Sequence, residues 1–508
     1  MAIQPGRWQR QPPNRGLPLP PKDIYLAPAL RRFDWVRIAV IALGLGLFAL
    51  ICFAPHPPDA IDPHGQRFVL GREGQAALGL FVLAALWWAF EVVPIGVTGC
   101  AVGVLQVILL IRPPKAALGD FLDPAVWFVV GSLVIGMAFA RTGLTQRLAY
   151  RMLELFGERT PLIYLGAFAT TTLLALFMAH TAVAAAVFPL LMAIYPIYDE
   201  GRHPTRFGKG LFIGMAMTSG AASIVTLLGS ARAAVAVGFF EQMTGRDVSF
   251  FELTYYLLPL GFTLVLALWL LMLVLFPPEK PSIVGLRERL RMIHRKLGPP
   301  SPREIVTVVV VALMLLALSV GSFAPAVAPD KSGVIIAATV ALFLTGVLKI
   351  DDLEAIPWNI VLLFGGATSL GLCIWQTGAA RWLAVHGLAA WGHAHWLVFV
   401  LGLALLVLVL TNFIINVAVL AILLPMALVS APYLGLTPDV VFYATLCTAG
   451  LPLLLLIGAA PNAMAYESRQ FKPAEFLRAG LAASALVMAV LALFILVVWP
   501  HMGMPIRQ

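Results

Sequence analysis

Three polar residues stand inside apolar stretches of the chain, where such groups are costly unless they find a partner. His180 lies in FMAHTAVAAAVFP, Arg232 in LLGSARAAVAVG and Asn416 in INVAVLAILLP. The planar guanidinium of an arginine can hold a carboxylate or another oxyanion through two hydrogen bonds. Imidazole and amide groups can donate further hydrogen bonds to the same ion. These residue types therefore favour the binding of a small anion in an apolar surrounding.

The composition predicts that the surrounding is a membrane. Of the 508 residues, 60% are hydrophobic and only 12% are charged, whereas a soluble domain carries about 25% charged residues. Apolar runs long enough to span a bilayer recur from residue 35 to the end of the chain. We therefore predict an all-α polytopic membrane protein with about eleven transmembrane helices.

The net charge of +9 is unevenly distributed, and its distribution argues against a nucleic-acid partner. Basic residues concentrate in a tail over 1–34 and in a linker over 278–304, at Arg7, Arg10, Arg15, Lys22, Arg31, Arg32, Lys280, Arg287, Arg289, Arg291, Arg295, Lys296 and Arg303. Basic loops beside apolar spans mark the cytoplasmic side. We expect a cell-membrane (inner or plasma membrane) protein with a cytoplasmic N-terminus and an external C-terminus.

Two pairs of apolar segments, 161–178 with 182–198 and 395–414 with 415–430, have no loop between their members, only the short polar interruptions His180-Thr181 and Asn416. They predict re-entrant hairpins over 161–198 and 395–430. The second pair can be laid on the first without a gap, so that His180 falls on Asn416. The identical positions are Ala182 with Ala418, Val183 with Val419, Ala185 with Ala421 and Pro189 with Pro425. Counting crossings from a cytoplasmic N-terminus makes the two hairpins enter from opposite faces.

Two further matches extend this similarity to two halves, 35–277 and 305–508. Thr142-Gly143 falls on Thr377-Gly378, and a polar break recurs in the apolar stretches 210–240 and 438–464. Because the hairpins are an odd number of crossings apart, the halves form an inverted repeat. Inverted repeats with interrupted helices are typical of secondary transporters, which bind their substrate where the repeats meet.

Several segments resemble the divalent anion/sodium symporter family, in the same order and over nearly the whole chain from about Trp35. They are WWAFEVVPIGVTG (87–99), the two hairpin tips, WNIVLLFGG (358–366) and APNAMAYES (460–468). The resemblance implies a homodimer whose protomers work by an elevator mechanism. It also implies a dicarboxylate, tricarboxylate or sulfate-like substrate, usually carried with sodium.

The hairpin tips depart from the family, in which each carries Ser-Asn-Thr. Here they read Ala179-His180-Thr181 and Ile415-Asn416-Val417. Arg232 also stands where the family has a proline. A hard cation needs several oxygen ligands, so these departures put sodium coupling in question. Our hypothesis is that Arg232 supplies the positive charge, and that His180 donates to the anion or shuttles a proton.

The predicted substrate-binding residues are His180, Thr181, Ser230, Arg232, Asn416 and Asn462. If sodium or a proton is coupled, the resemblance implies that it is held by His180, Gly229, Asn416, Gly458 and Asn462. We expect no other cofactor. The alternatives are a proton-coupled or exchange-type carrier of altered substrate, and a non-transporting relative that acts as a sensor or partner. An enzyme is not expected, because the sequence contains neither HExxH nor GxSxG.

Overall fold

The computed structural model describes residues 35–61, 65–198, 204–323, 330–391 and 395–507, so that the predicted basic tail over 1–34 lies outside the described residues. The described chain is almost entirely helical, and eight of its helices are long and apolar enough to cross a membrane. The all-α polytopic class is confirmed. One small addition is a pair of two-residue antiparallel strands, β1 (Ala60–Ile61) and β2 (Arg67–Phe68).

The helices of the first half run from α1 to α11. Their bounds are α1 Trp35–Phe53, α2 Arg72–Phe90, α3 Ile95–Ile108, α4 Pro114–Gly119, α5 Pro124–Thr142, α6 Leu144–Phe156, α7 Thr160–Ala175, α8 His180–Tyr198, α9 Arg206–Ser223, α10 Ala231–Thr244 and α11 Phe250–Leu275.

The linker and the second half form α12 to α22. Their bounds are α12 Leu286–Lys296, α13 Pro302–Phe323, α14 Lys331–Leu344, α15 Ile350–Glu354, α16 Trp358–Gln376, α17 Ala379–Trp391, α18 Trp396–Leu410, α19 Asn416–Ser430, α20 Pro438–Thr448, α21 Ala460–Glu467 and α22 Pro473–Leu493. The last helix continues through a π-helical turn, Phe494–Val498.

The matched Thr-Gly elements perform the same task in both halves. Gly143 has a φ of 83° directly after α5, and Gly378 has a φ of 77° just after α16. Only glycine adopts this left-handed conformation without strain, and it ends a helix cleanly. In each half a second helix, α6 or α17, begins within a residue of the glycine.

The two halves pack on each other in a reciprocal pattern. Helix α5 of the first half contacts α14, and α16 of the second half contacts α3. The second arm of each hairpin behaves in the same way, since α8 contacts α21 and α19 contacts α10. Such exchanged pairs are expected of two repeats related by a pseudo-two-fold axis.

Helices α3 and α16 approach so closely that their backbones touch. A side chain added at Gly366 would overlap the backbone of Gly99, and the backbone N–H of Gly96 donates to Oδ1 of Asn359 at 2.8 Å. Small residues allow this kind of close crossing inside a membrane. Two of the segments singled out by the sequence, 87–99 and 358–366, are therefore in direct contact.

Two details of the sequence interpretation need correction. The polar residues His180 and Asn416 do not interrupt the hairpins. Each is the first residue of a second arm, and the breaks lie just before them, at 176–179 and 411–415. These breaks consist mostly of apolar residues, so the sequence did not reveal them as interruptions of the helices. The linker over 278–304 also contains a helix, α12, because Leu286 and Leu290 are one turn apart and are buried where α12 packs on α6.

Candidate functional site

Four helices begin at interruptions of the apolar hairpins and broken helices. They are α8 at His180, α10 at Ala231, α19 at Asn416 and α21 at Ala460. The first backbone N–H groups of a helix have no partner within the helix, and they form the positive end of its dipole. An anion is the ligand that such helix ends favour.

Arg232 lies in the first turn of α10 and is only 3% exposed. Its Nη2 donates to Oγ of Ser223 at 3.0 Å, and its buried Nε has no hydrogen-bond partner. Within the described part of the chain no carboxylate, Glu467 included, forms an ion pair with it. Arg232 is therefore a buried positive charge that still has hydrogen-bonding capacity.

The guanidinium of Arg232 lies beside the ends of two half-helices. Ser223 is the last residue of α9, and Gly450 follows the end of α20 by two residues. A side chain at Gly450 would overlap Nη2 of Arg232, so the guanidinium fills that place. The C-terminal end of a helix is the negative end of its dipole and stabilises a cation. In transporters with broken helices, such C-terminal ends help to coordinate sodium.

His180 and Asn462 line the same small cavity, next to Gly220 of α9. Its volume of about 10 Å³ is close to the minimum that one water molecule needs. The carbonyl of His180 accepts a hydrogen bond from Oγ of Ser219 at 3.0 Å, one helical turn of α9 before Ser223, the partner of Arg232. The structure thus brings together predicted residues from both halves of the chain.

The amide of Asn462 is already in use, which was not predicted. Its Nδ2 donates to the carbonyls of Pro452 at 2.7 Å and Leu455 at 3.0 Å. Both carbonyls belong to the segment between α20 and α21, which is not α-helical. Asn462 holds that segment, so the donor group we expected to face the substrate is committed to the backbone.

The other predicted residues occupy different surroundings. Thr181 is exposed on α8, whereas Ser230 is 1% exposed and its hydroxyl has no partner. Asn416 is buried at the start of α19, which packs on α10. Gly229 and Gly458 lie against the first and second hairpins. A side chain at Gly229 would collide with the carbonyl of Ala175 at the end of α7, and one at Gly458 would crowd Pro452 and the backbone of Asn412. These glycines therefore let each broken helix pack closely on its hairpin.

Asn412 and Thr226 hold the breaks in place, and the sequence interpretation missed both. Oδ1 of Asn412 accepts from the backbone N–H groups of Leu454 at 2.7 Å and Leu455 at 3.1 Å. Thr226 bridges the first hairpin and the first broken helix by donating to the carbonyl of Leu176 at 2.7 Å. Asn412 could have been found, because it is an amide in an apolar run like Asn416. Thr226 could not, since hydroxyls are common in such runs.

Comparison with known families decides the class of this site. A family model described as the sodium:sulfate symporter transmembrane region matches residues 36–505. The chain belongs to this family. The resemblance to divalent anion/sodium symporters is confirmed, and the protein is a membrane transporter and not an enzyme.

Relatives within the family include a sodium-dependent dicarboxylate transporter of Staphylococcus saprophyticus. It is 24% identical over 465 residues, which cover 85% of this chain and 88% of the relative. A transporter of Methanocaldococcus jannaschii is 26% identical over 464 residues, covering 90% of this chain and 99% of the relative.

Two solved structures share the fold. The Alcanivorax borkumensis YdaH transporter has a TM-score of 0.55 at 15% identity, over 93% of this chain and 98% of the other. The Neisseria gonorrhoeae MtrF structure, which is described as illuminating a class of antimetabolite efflux pumps, has a TM-score of 0.54 at 13% identity, over 91% and 93%. At these identities the likeness concerns the fold alone.

Proposed function

We propose that this secondary anion transporter binds its anion with Arg232 as a built-in cation, in place of a coupled sodium ion. The anion carries a carboxylate or a similar oxyanion group. It is held by the helix starts at His180, Ala231 and Asn416, and the two inverted halves alternate its access between the two sides of the membrane.

The observation that carries this proposal is the place of the Arg232 guanidinium. It lies at the negative ends of α9 and α20, is almost fully buried, and has no acidic partner among the described residues. A permanent charge in that position costs several kcal/mol unless an anion or a dipole offsets it. Two helix ends offset part of that cost, and a bound anion would offset the rest.

The remaining features of the proposal follow from the fold and the charge pattern. The predicted entry of the hairpins from opposite faces and the reciprocal packing of the halves support an elevator-type movement of the hairpins and broken helices. The basic linker supports a cytoplasmic N-terminus. The protein would act as a homodimer, as the family resemblance implies.

The test is uptake of radiolabelled sulfate, succinate and phenylacetate into proteoliposomes that contain the full chain. Uptake should be the same in sodium and choline buffers, and Arg232→Gln should abolish it. Arg141→Gln is the matched control, because Arg141 pairs with Asp352 at 2.7 Å and is 57% exposed. Sodium-dependent uptake that survives in Arg232→Gln would refute the role of Arg232 and favour the coupling named for the staphylococcal relative.

A further inference from the structure

A cavity of about 500 Å³ lies between α5, α6 and α8 and reaches the tip of the first hairpin. Met178 and Ala179 line it at the tip, and the next residue in the chain is His180. Its volume is within the range of about 300–1,000 Å³ that is typical of sites for small organic ligands. None of the predicted anion-binding residues lines the cavity, but Ala179 immediately precedes α8. The cavity therefore reaches the start of that helix and has room for more than a compact anion.

The wall that α8 gives to this cavity is small and apolar. It consists of Ala182, Ala185, Ala186, Pro189 and Leu190. Among the described residues that line the cavity, none carries a charged side chain. An ionised group placed there would lose hydration without gaining a counter-charge, which is strongly unfavourable. The cavity suits the uncharged part of a ligand.

The polar groups of the cavity are few, and half of them are engaged. Ser132 donates to the carbonyl of Val129 at 2.8 Å, and Thr145 lies 3.7 Å from the sulfur of Met178. Gln146 and Tyr150 remain available on α6, where they could make neutral hydrogen bonds. A mainly apolar body with at most one neutral polar group fits this lining.

The positive charge of Arg232 also restricts the number of carboxylates that the ligand can carry. Arg232 is a single permanent positive charge, and it matches one carboxylate. A second carboxylate would have to enter the uncharged cavity or remain unpaired. The hairpin tips also present apolar Ala179, Ile415 and Val417 beside His180 and Asn416, which reduces the neutral donors available to a second anionic group.

We propose that the transported anion is an organic monoanion with an apolar body, of the arylalkanoate or alkanoate class. Its carboxylate lies at the start of α8, and its body occupies the cavity between α5, α6 and α8. This inference rests on the proposed function and narrows it, since the named relatives include dicarboxylate transporters.

The test uses the full chain in proteoliposomes, with radiolabelled phenylacetate as the substrate. Unlabelled acetate, phenylacetate, 4-phenylbutyrate and succinate serve as competitors. In the parent protein, competition should strengthen from acetate to 4-phenylbutyrate, and succinate should compete poorly. Ala182→Leu and Ala186→Leu fill the cavity, so each should weaken phenylacetate relative to acetate by roughly tenfold. Ala312→Leu, at an exposed position of α13 outside the cavity, should change nothing.

Each variant is judged by the ratio of competition by phenylacetate to competition by acetate, so the result does not depend on how much protein is expressed or folded. Acetate is the reference because it does not need the cavity. If succinate competes better than phenylacetate, and the two cavity variants leave that order unchanged, the monoanion inference is wrong while the anion-transport proposal stands. If the parent protein accumulates none of sulfate, succinate and phenylacetate, the proposed function fails as well.

Discussion

The guanidinium of Arg232 occupies the space that a side chain at Gly450 would fill. The two residues come from different halves of the chain, one from the first turn of α10 and the other from just beyond α20. The position of the buried charge therefore depends on the lack of a side chain at Gly450.

This relationship predicts the effect of Gly450→Ala. The added methyl group should push the guanidinium away from Ser223. We expect it to lower both the rate of anion uptake and the free energy of unfolding. The stability loss should be about 1–3 kcal/mol, as for other overpacked interiors. Uptake assays and thermal unfolding in detergent would measure the two effects. Gly46→Ala on α1 is the control, because a methyl group there meets no atom within 4 Å; equal effects of the two variants would contradict the prediction.

The proposed replacement of a coupled sodium ion by Arg232 also predicts how the carrier cycles. A sodium ion leaves the site together with the substrate, whereas Arg232 keeps its charge in the empty protein. Moving that unpaired charge through the bilayer is unfavourable, so the empty carrier should return slowly. Anion loaded inside the vesicle should therefore accelerate uptake of labelled anion from outside, roughly tenfold or more if the barrier difference exceeds about 1.4 kcal/mol. Uptake that does not respond to internal anion would show that the empty carrier returns freely.

The buried pair of Arg112 and Asp120 predicts a large loss of stability on substitution. Nη1 of Arg112 lies 2.7 Å from Asp120, and the two side chains are 4% and 12% exposed. Arg112 also donates to Gln106 and Gln376, so the pair connects α3 with α16. Asp120→Ala leaves a buried charge unpaired and should destabilise the protein by about 3–5 kcal/mol.

Equilibrium unfolding in detergent would measure this loss. The comparison is Arg141→Ala, which breaks an ion pair whose arginine is 57% exposed and should change stability by no more than about 1 kcal/mol. Similar values for the two variants would mean that the buried network contributes little.

The pKa of Glu279, a carboxyl group in the linker, predicts how the stability of the protein depends on pH. Burial raises the pKa of this carboxyl group, but hydrogen bonds from the backbone N–H of Arg206 and the hydroxyl of Tyr198 outweigh it, and the net pKa is lower than the ordinary 4.5. A lowered pKa in the folded state stabilises the protein above the unfolded-state pKa. That stabilisation is lost as the pH falls through the folded-state value.

Glu279→Gln should therefore lower the melting temperature at pH 7, and the difference from the parent should shrink as the pH approaches 4 and below. Melting curves between pH 3 and pH 8 would show this. A difference that stays constant over the whole range would mean that the charge of Glu279 does not stabilise the fold.

Most of the fold could be predicted because its signals are local and strong. Apolar length predicts the spans, and the repeated Thr-Gly elements predict helix ends, as Gly143 and Gly378 show. The breaks at 176–179 and 411–415 were misplaced for the opposite reason. The carbonyl of Leu176 in the first break accepts from the distant Thr226, and Asn412 in the second break accepts from the distant Leu454 and Leu455. These contacts form only in the folded chain, so the apolar sequence around each break did not mark its position.

The site could be predicted only in part. Arg232 and His180 stood out because charge and imidazole are rare in apolar runs, and in the structure they contact neighbouring turns of α9, at Ser223 and Ser219. The role of Asn462 was not predictable, since an amide that binds a substrate and one that holds a loop look identical in a sequence. The contribution of Ser223 and Gly450 was likewise hidden, because it arises only where α9, α10 and α20 meet.

The contact of Gly99 with Gly366 has a consequence for measuring movement in this protein. Two backbones that touch without intervening side chains have no layer that can shear. The crossing of α3 and α16 should therefore keep one spacing throughout the transport cycle. Spectroscopic labels attached near this crossing would give a constant reference distance, and a second label on the first hairpin would test whether that hairpin moves relative to it during transport.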